Sequence, residues 1–333
     1  MVFARSANAT FGLPAPAAHG TIPGDPMTSI WLDTDIGDDI DDILALALIC
    51  ASPELELAGI STVLGDTAAR ARLARTFLAA VPGLPSVPVG AGCGFPLPGP
   101  VPPGPWPNGP ARRRAGLSQL ACALPARRLP GAPRRHGVDL LADRLRARPG
   151  ATIPVAIGPL TNIATLLLRE PGLATAIPRL VVMGGEFRSD RWEWNVRCDP
   201  LAAACVARSG ILMDFIPWQV GMDCTVTAPQ LRRLLRRGSP AGRLLARAVR
   251  LWRAVKGPSH ARERPHLFDP MAVAVLLHPG WFRWRRGRVS VALEPGPFSR
   301  TLFTPDPGGP HRVAWGVDGA RAVSAAWSRI LSL

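Results

Sequence analysis

Six of the chain's 24 carboxylates fall within ten residues, in Asp33-Thr-Asp-Ile-Gly-Asp-Asp-Ile-Asp-Asp42. They stand at the end of a short apolar run, Ser29-Ile-Trp-Leu-Asp33. Acids this close repel one another, and their pKa values rise unless a cation neutralises them. Oxygen ligands without a neighbouring His or Cys select a hard ion, Ca²⁺ or Mg²⁺, over zinc. A solvated acidic helix start, favoured by the macrodipole, would account for Asp41 and Asp42 but not for the acids at the strand end. The segment reads as a metal site.

The surrounding pattern shows what must hold those acids in place. Ser29 opens a strand, and Ile43-Leu-Ala-Leu-Ala-Leu-Ile-Cys50 reads as a compact helix. Leu57 to Leu64 reads as a second strand and Thr67 to Ala80 as an arginine-bearing amphipathic helix. Ile153-Pro-Val-Ala-Ile, a helix over 162–169 and Arg179-Leu-Val-Val-Met continue the alternation. This predicts an α/β fold: an open, doubly wound, mostly parallel sheet flanked by helices, in one domain over 28–333. Ligands of such sheets bind beyond the carboxyl ends of the strands, which is where the acids fall. Between about 95 and 135 the pattern breaks into a Pro-rich loop, Phe95-Pro-Leu-Pro-Gly-Pro-Val-Pro-Pro-Gly-Pro-Trp-Pro-Asn-Gly-Pro, which neither helix nor central strand can cross. It is a surface insertion or a lid. Residues 1–27 read as a disordered leader or a mis-assigned start, with Met27 as a candidate first residue.

At 47% hydrophobic and 19% charged, the 333 residues can bury a full core, and no apolar run is long enough for a membrane span. The net charge of +15 would ordinarily suggest nucleic acid as a partner. However, 38 of the 39 basic residues are arginine, Lys256 being the exception, and they are dispersed. A nucleic-acid-binding role is therefore disfavoured. The six cysteines contain no C-x-x-C pair, so free thiols and a cytoplasmic location are expected.

Two families place Asp-x-Asp after a first strand. The haloacid-dehalogenase-like phosphatases want Thr or Val where Gly37 stands, and a lysine at a strand end, which Lys256 in its Lys-Gly-Pro-Ser turn does not offer. The chain resembles the inosine-uridine-preferring nucleoside hydrolase family much more closely. Besides the acidic segment, the blocks Ser61-Thr-Val-Leu-Gly-Asp66, Gly158-Pro-Leu-Thr-Asn-Ile-Ala164, Met183-Gly-Gly185, Glu193-Trp-Asn195, Asp199-Pro200, Asp269-Pro-Met-Ala-Val-Ala and Val317-Asp318 follow in the family's order.

That resemblance implies hydrolysis of ribonucleosides to free base and ribose, in purine or pyrimidine salvage. It implies Ca²⁺ held by Asp35, Asp42, Asp269 and the backbone carbonyl of Ile157, with Asp35 as general base toward a calcium-bound water. Asp41, Glu193 and Asn195 would grip the ribose hydroxyls, with Trp194 and Asp66 also on the substrate and Asp33 and Asp39 in supporting positions. Members are often dimers or tetramers. Phe268 stands where the family commonly has a His that protonates the departing base, which leaves His266 as a candidate for that role. The segment that usually follows the second helix is replaced by Pro and Arg, and the interval from Met183 to Glu193 is short. Stacking of the base on Trp192, Trp194 or Trp106 is an alternative form of leaving-group activation. The runner-up is a non-hydrolytic relative that keeps the calcium and ribose groups.

Overall fold

The computed structural model describes residues 27–99, 118–129, 135–256 and 262–333, and the structural statements below are made of these residues. The leader, Trp106 and residues 100–117 and 130–134 of the Pro-rich segment lie outside them.

The first strand, β1 (Thr28–Thr34), is buried along almost its whole length. Ile30 and Leu32 enter one apolar cluster while Trp31 enters another, so the alternation of a strand feeds two cores at once. Its neighbours are β2 (Leu55–Thr62) on one side and β4 (Thr152–Ala156) on the other, both parallel to it. The remaining strands are β3 (Val89–Ala91), β5 (Leu180–Met183), β6 (Met213–Ile216), β7 (Phe282–Val291), β8 (Thr301–Pro305) and β9 (His311–Val317). Together they form a nine-stranded sheet in the order β3-β2-β1-β4-β5-β6-β9-β7-β8. All pairings are parallel except those of β7 with β8 and β9. The expected doubly wound, mostly parallel sheet is present, with an antiparallel edge that the sequence reading had not anticipated.

The chain winds outward in both directions from β1, so the crevice between β1 and β4 is the topological switch point. Helix α1 (Asp41–Cys50) leaves β1 there and is buried on every side from Asp41 to Ile49. Such an all-apolar helix belongs in a core. Each of its fully buried Ile and Leu side chains contributes about 2 kcal/mol. Five of them, Ile43, Leu44, Leu46, Leu48 and Ile49, hold the helix in the core and with it the acids at its start. Against α1 packs the equally apolar helix Phe268–Leu277. Both helices begin at the same end of the sheet, and neither has a side-chain N-cap: Ile40 and Leu267 occupy the cap positions. Their unsatisfied N–H groups and positive dipole ends are matched by acids in the first turn, Asp41 and Asp42 on one and Asp269 on the other.

Candidate active site

The site is assembled from the ends of β1 and β4 and the starts of these two helices. Carboxylate oxygens of Asp41, Asp42 and Asp269 lie within 4.8 Å of one another, all three side chains being buried. Asp41 Oδ2 accepts from the Asp269 backbone N–H at 3.4 Å, tying one helix start to the other. Asp42 Oδ1 accepts from Thr34 Oγ1 at 2.5 Å, and the same hydroxyl accepts from the Ile36 N–H at 3.0 Å. Burial raises all three well above the ordinary carboxylate range, and repulsion from neighbouring aspartates raises them further, from Asp39 foremost for Asp41, from Asp35 and Asp41 for Asp42, and from Asp41 and Asp42 for Asp269. Asp35 lies outside that trio, yet its charge acts on each member. Its own pKa is pushed up to about 7, by burial first, against the lowering effect of the Arg70 guanidinium.

The carboxylate of Asp35 lies against Gly158, where a Cβ would stand 2.9 Å from Asp35 Oδ1 and 2.8 Å from Val63 Cγ1. The Gly at the start of the β4 turn thus makes room for that carboxylate. Immediately before it, the Ile157 carbonyl accepts from Asn195 Nδ2 at 3.2 Å, and the same amide nitrogen donates to the Met183 carbonyl at 3.2 Å. Asn195 in this way bridges the ends of β4 and β5 and faces the carbonyl expected to hold the ion.

Glu193 is buried, and its two oxygens accept from the N–H groups of Gly185, Asn195 and Val196 at 2.9–3.1 Å, capping the short helix Trp194–Cys198. Burial raises its pKa in spite of these bonds. Asp33 is fully buried and accepts from Ser61 Oγ at 2.5 Å and Asn162 Nδ2 at 2.6 Å; burial raises it to about 6. Its other oxygen has no partner among the described residues. Asp33 thereby ties the end of β1 to β2 and to the helix that follows β4. Asp39 is exposed and accepts from the Ile40 N–H at 2.7 Å. Asp66, expected on the substrate, is exposed and caps helix α2 (Thr67–Ala79) through Ala69 N at 3.0 Å.

His266 is half-buried, with Nδ1 at 2.9 Å from Thr225 Oγ1 and its ring stacked on Phe268 at 5.5 Å. Phe268 in turn lies over Gly221, where a Cβ would come within 2.0 Å of its ring. Trp194 is half-buried, whereas Trp192 is exposed and lies under the Arg197 guanidinium at 4.3 Å. Three residues at the site were missed from sequence: Thr34, Arg70 and Gln119. A hydroxyl between two acids is the signal that Thr34 carried; an arginine on the buried face of an amphipathic helix is the signal of Arg70.

Buried oxygen donors without His or Cys, pushed toward protonation by one another, suit a hard cation in the crevice of a doubly wound sheet. Comparison with known proteins gives the class its family. Residues 30–324 match the family model "Inosine-uridine preferring nucleoside hydrolase", and the chain belongs to that family. It is similar to pyrimidine-specific ribonucleoside hydrolase RihA of Klebsiella pneumoniae, 30% identical over 266 residues, covering 77% of this chain and 82% of the relative. It is similar to uridine nucleosidase 1 of Arabidopsis thaliana, 27% identical over 270 residues, covering 79% of this chain and 78% of the relative. The solved purine-preferring ribonucleoside hydrolase from Gardnerella vaginalis superposes with a TM-score of 0.76 at 26% identity, covering 91% of this chain and 98% of that one. No helix among the described residues is long and apolar enough to cross a membrane.

Proposed function

We propose that the chain hydrolyses the N-glycosidic bond of ribonucleosides, with Ca²⁺ held by Asp35, Asp42, Asp269 and the Ile157 carbonyl. The observation that carries this reading is the buried trio Asp41, Asp42 and Asp269 beside Asp35, in a chain of this family. Bound Ca²⁺ supplies Lewis acidity toward water and anchoring points for sugar hydroxyls.

Everything else falls to the chain's own groups. Asp35 accepts a proton from the attacking water at its carboxylate. Cleavage develops an oxocarbenium-like ribosyl cation, which the surrounding ring of carboxylates stabilises. Asp41, Asn195 and Glu193 hold the ribose hydroxyls, so a deoxy sugar leaves buried groups unpaired and is rejected. Trp194 flanks the base, and His266, seated on Phe268, is the titratable group assigned to the departing base. The named relatives divide between pyrimidine and purine, so base preference is left to experiment.

The test is release of base and ribose from inosine, adenosine, guanosine, uridine and cytidine, with and without chelator, beside Asp35→Ala. Release that chelator and the substitution both abolish is expected. A second reading, a ligand-binding relative without turnover, is favoured by one observation, the aromatic Phe268 in the place of a proton donor. Calcium-dependent ribose binding without release of any base would establish it instead.

A further inference from the structure

Five consecutive backbone carbonyls, from Asp35 to Asp39, span the loop between the strand-end acid and the acids of α1. Each accepts a hydrogen bond from one of two side-chain-bearing residues that neither the fold's core nor the proposed chemistry uses. Arg70, on α2 and 2% exposed, donates through Nη1 to the carbonyls of Asp35 and Ile36, the latter at 3.0 Å. Gln119, fully buried, donates its backbone N–H to the Gly37 carbonyl at 3.1 Å. Its Nε2 donates to the carbonyls of Asp39 at 2.5 Å and Asp38 at 3.4 Å. Arg70 also reaches the Asp38 carboxylate at 2.9 Å through Nη2 and the Leu64 carbonyl at 2.6 Å through Nε.

Two further observations separate this from ordinary loop packing. Leu64 holds φ at +72°, a left-handed conformation that residues with a side chain rarely adopt, and its carbonyl is the one aimed at Arg70 Nε. Gln119 leaves its Oε1 buried without a partner among the described residues, an unfavourable state for an amide oxygen. Strain and an unsatisfied amide are thus both present where the two donors grip the loop.

We propose that Arg70 and Gln119 form a two-sided clamp that fixes the Asp35–Asp39 loop in the shape that receives the cation. They act as positioning residues, not ligands. Free carbonyls are themselves good ligands for hard ions. With all five turned onto Arg70 and Gln119, Asp35 is held at a set position relative to Asp41 and Asp42. The clamp also explains why residues from the long insertion reach the site: Gln119 belongs to the segment 118–122 that follows the Pro-rich stretch. This inference rests on the reading of the carboxylates as a cation site.

Charge and position predict opposite signs, which makes the test decisive. Removing a cationic side chain beside a Ca²⁺ site tightens binding if charge alone matters, and weakens it if the side chain positions the ligands. Calcium titration calorimetry on the full chain is compared for wild type, Arg70→Met, Arg70→Lys and Gln119→Ala, with circular dichroism and Tm of the chelated proteins as folding controls. Calcium Kd is expected to rise at least tenfold in Arg70→Met and in Gln119→Ala. Arg70→Lys is expected to recover little, because one ammonium cannot replace the planar fork that holds three carbonyls and a carboxylate. Tighter binding in Arg70→Met, or a Kd within twofold of wild type in a folded Gln119→Ala, overturns the clamp. Wild type that binds no Ca²⁺ overturns the cation site itself, and the clamp falls with it.

Discussion

Replacing Asp35 by asparagine in the chelated protein isolates the electrostatic cost of one buried acid. Burial takes Asp35 from its ordinary 3.8 to about 7, so the folded protein keeps this proton over a range in which the unfolded chain has released it. An acid raised in the folded state therefore adds stability at low pH, and that stability is lost as pH rises toward and through about 7. From pH 5 to pH 8 the loss from Asp35 is about 3 kcal/mol. At about 2.1 cal/mol/K per residue, unfolding 333 residues carries an entropy near 0.7 kcal/mol/K, so the loss amounts to about 4 °C in Tm. His311 acts in the opposite sense. Its pKa is lowered by burial to about 4, and folding it neutral loses stability as pH falls through the unfolded value of 6.5. Taking the difference between Asp35→Asn and wild type removes this second contribution. Scanning calorimetry in chelator should show that difference moving in the variant's favour by about 4 °C between pH 5 and pH 8. Saturating Ca²⁺ should stabilise the wild type and not the variant. A difference that is flat, or that moves toward the wild type as pH rises, refutes the electrostatic reasoning.

Other consequences are open to equally direct measurement. Gly158→Ala places a Cβ 2.9 Å from Asp35 Oδ1, so the folded variant should lose turnover on the order of 10²-fold; unchanged steady-state rates would show that the Asp35 position does not matter. Phe268→His should raise kcat on inosine at least tenfold while leaving p-nitrophenyl riboside, whose leaving group needs no proton, nearly unchanged. Equal gains on the two substrates would sink the assignment of that position to leaving-group protonation. Trp194→Ala should hurt purine nucleosides most if the indole stacks on the base, whereas a uniform loss across the panel would mean a packing role.

Much of this architecture could be read from local patterns, because β1 and α1 carry their burial in their own residues. Ile30, Trp31 and Leu32 announce a strand covered on both faces, and the acids that follow announce what stands at its end. The helix at 162–169 begins one residue earlier in the structure, at Thr161. What local pattern cannot carry is long-range pairing. That Asp269 meets Asp41 depends on two apolar helices packing side by side, and the hint came from family resemblance alone. The capping work of Asp66 and the encirclement of Glu193 by backbone N–H groups were likewise hidden, since an acid before a helix looks the same whether it caps or binds. Arg70 was hidden among 38 arginines, its role visible only once the Asp35–Asp39 loop and the turn at Leu64 converge on one guanidinium.

The strand order has a bearing on how the protein is made. β9, the last strand in the chain, lies inside the sheet between β6 and β7. Until residues 311–317 emerge during synthesis, β6 presents an open, apolar margin and the β7–β8 hairpin has no strand joining it to the rest of the sheet. Such margins recruit other chains. The nascent protein therefore passes through a stage in which eight of the nine strands are translated but the sheet is in two pieces, and closure waits for residues 311–317. Ribosome-bound chains stalled before β9 should be chaperone clients and protease-sensitive at the hairpin, while chains extended through the helix Gly319–Ile330 should be neither.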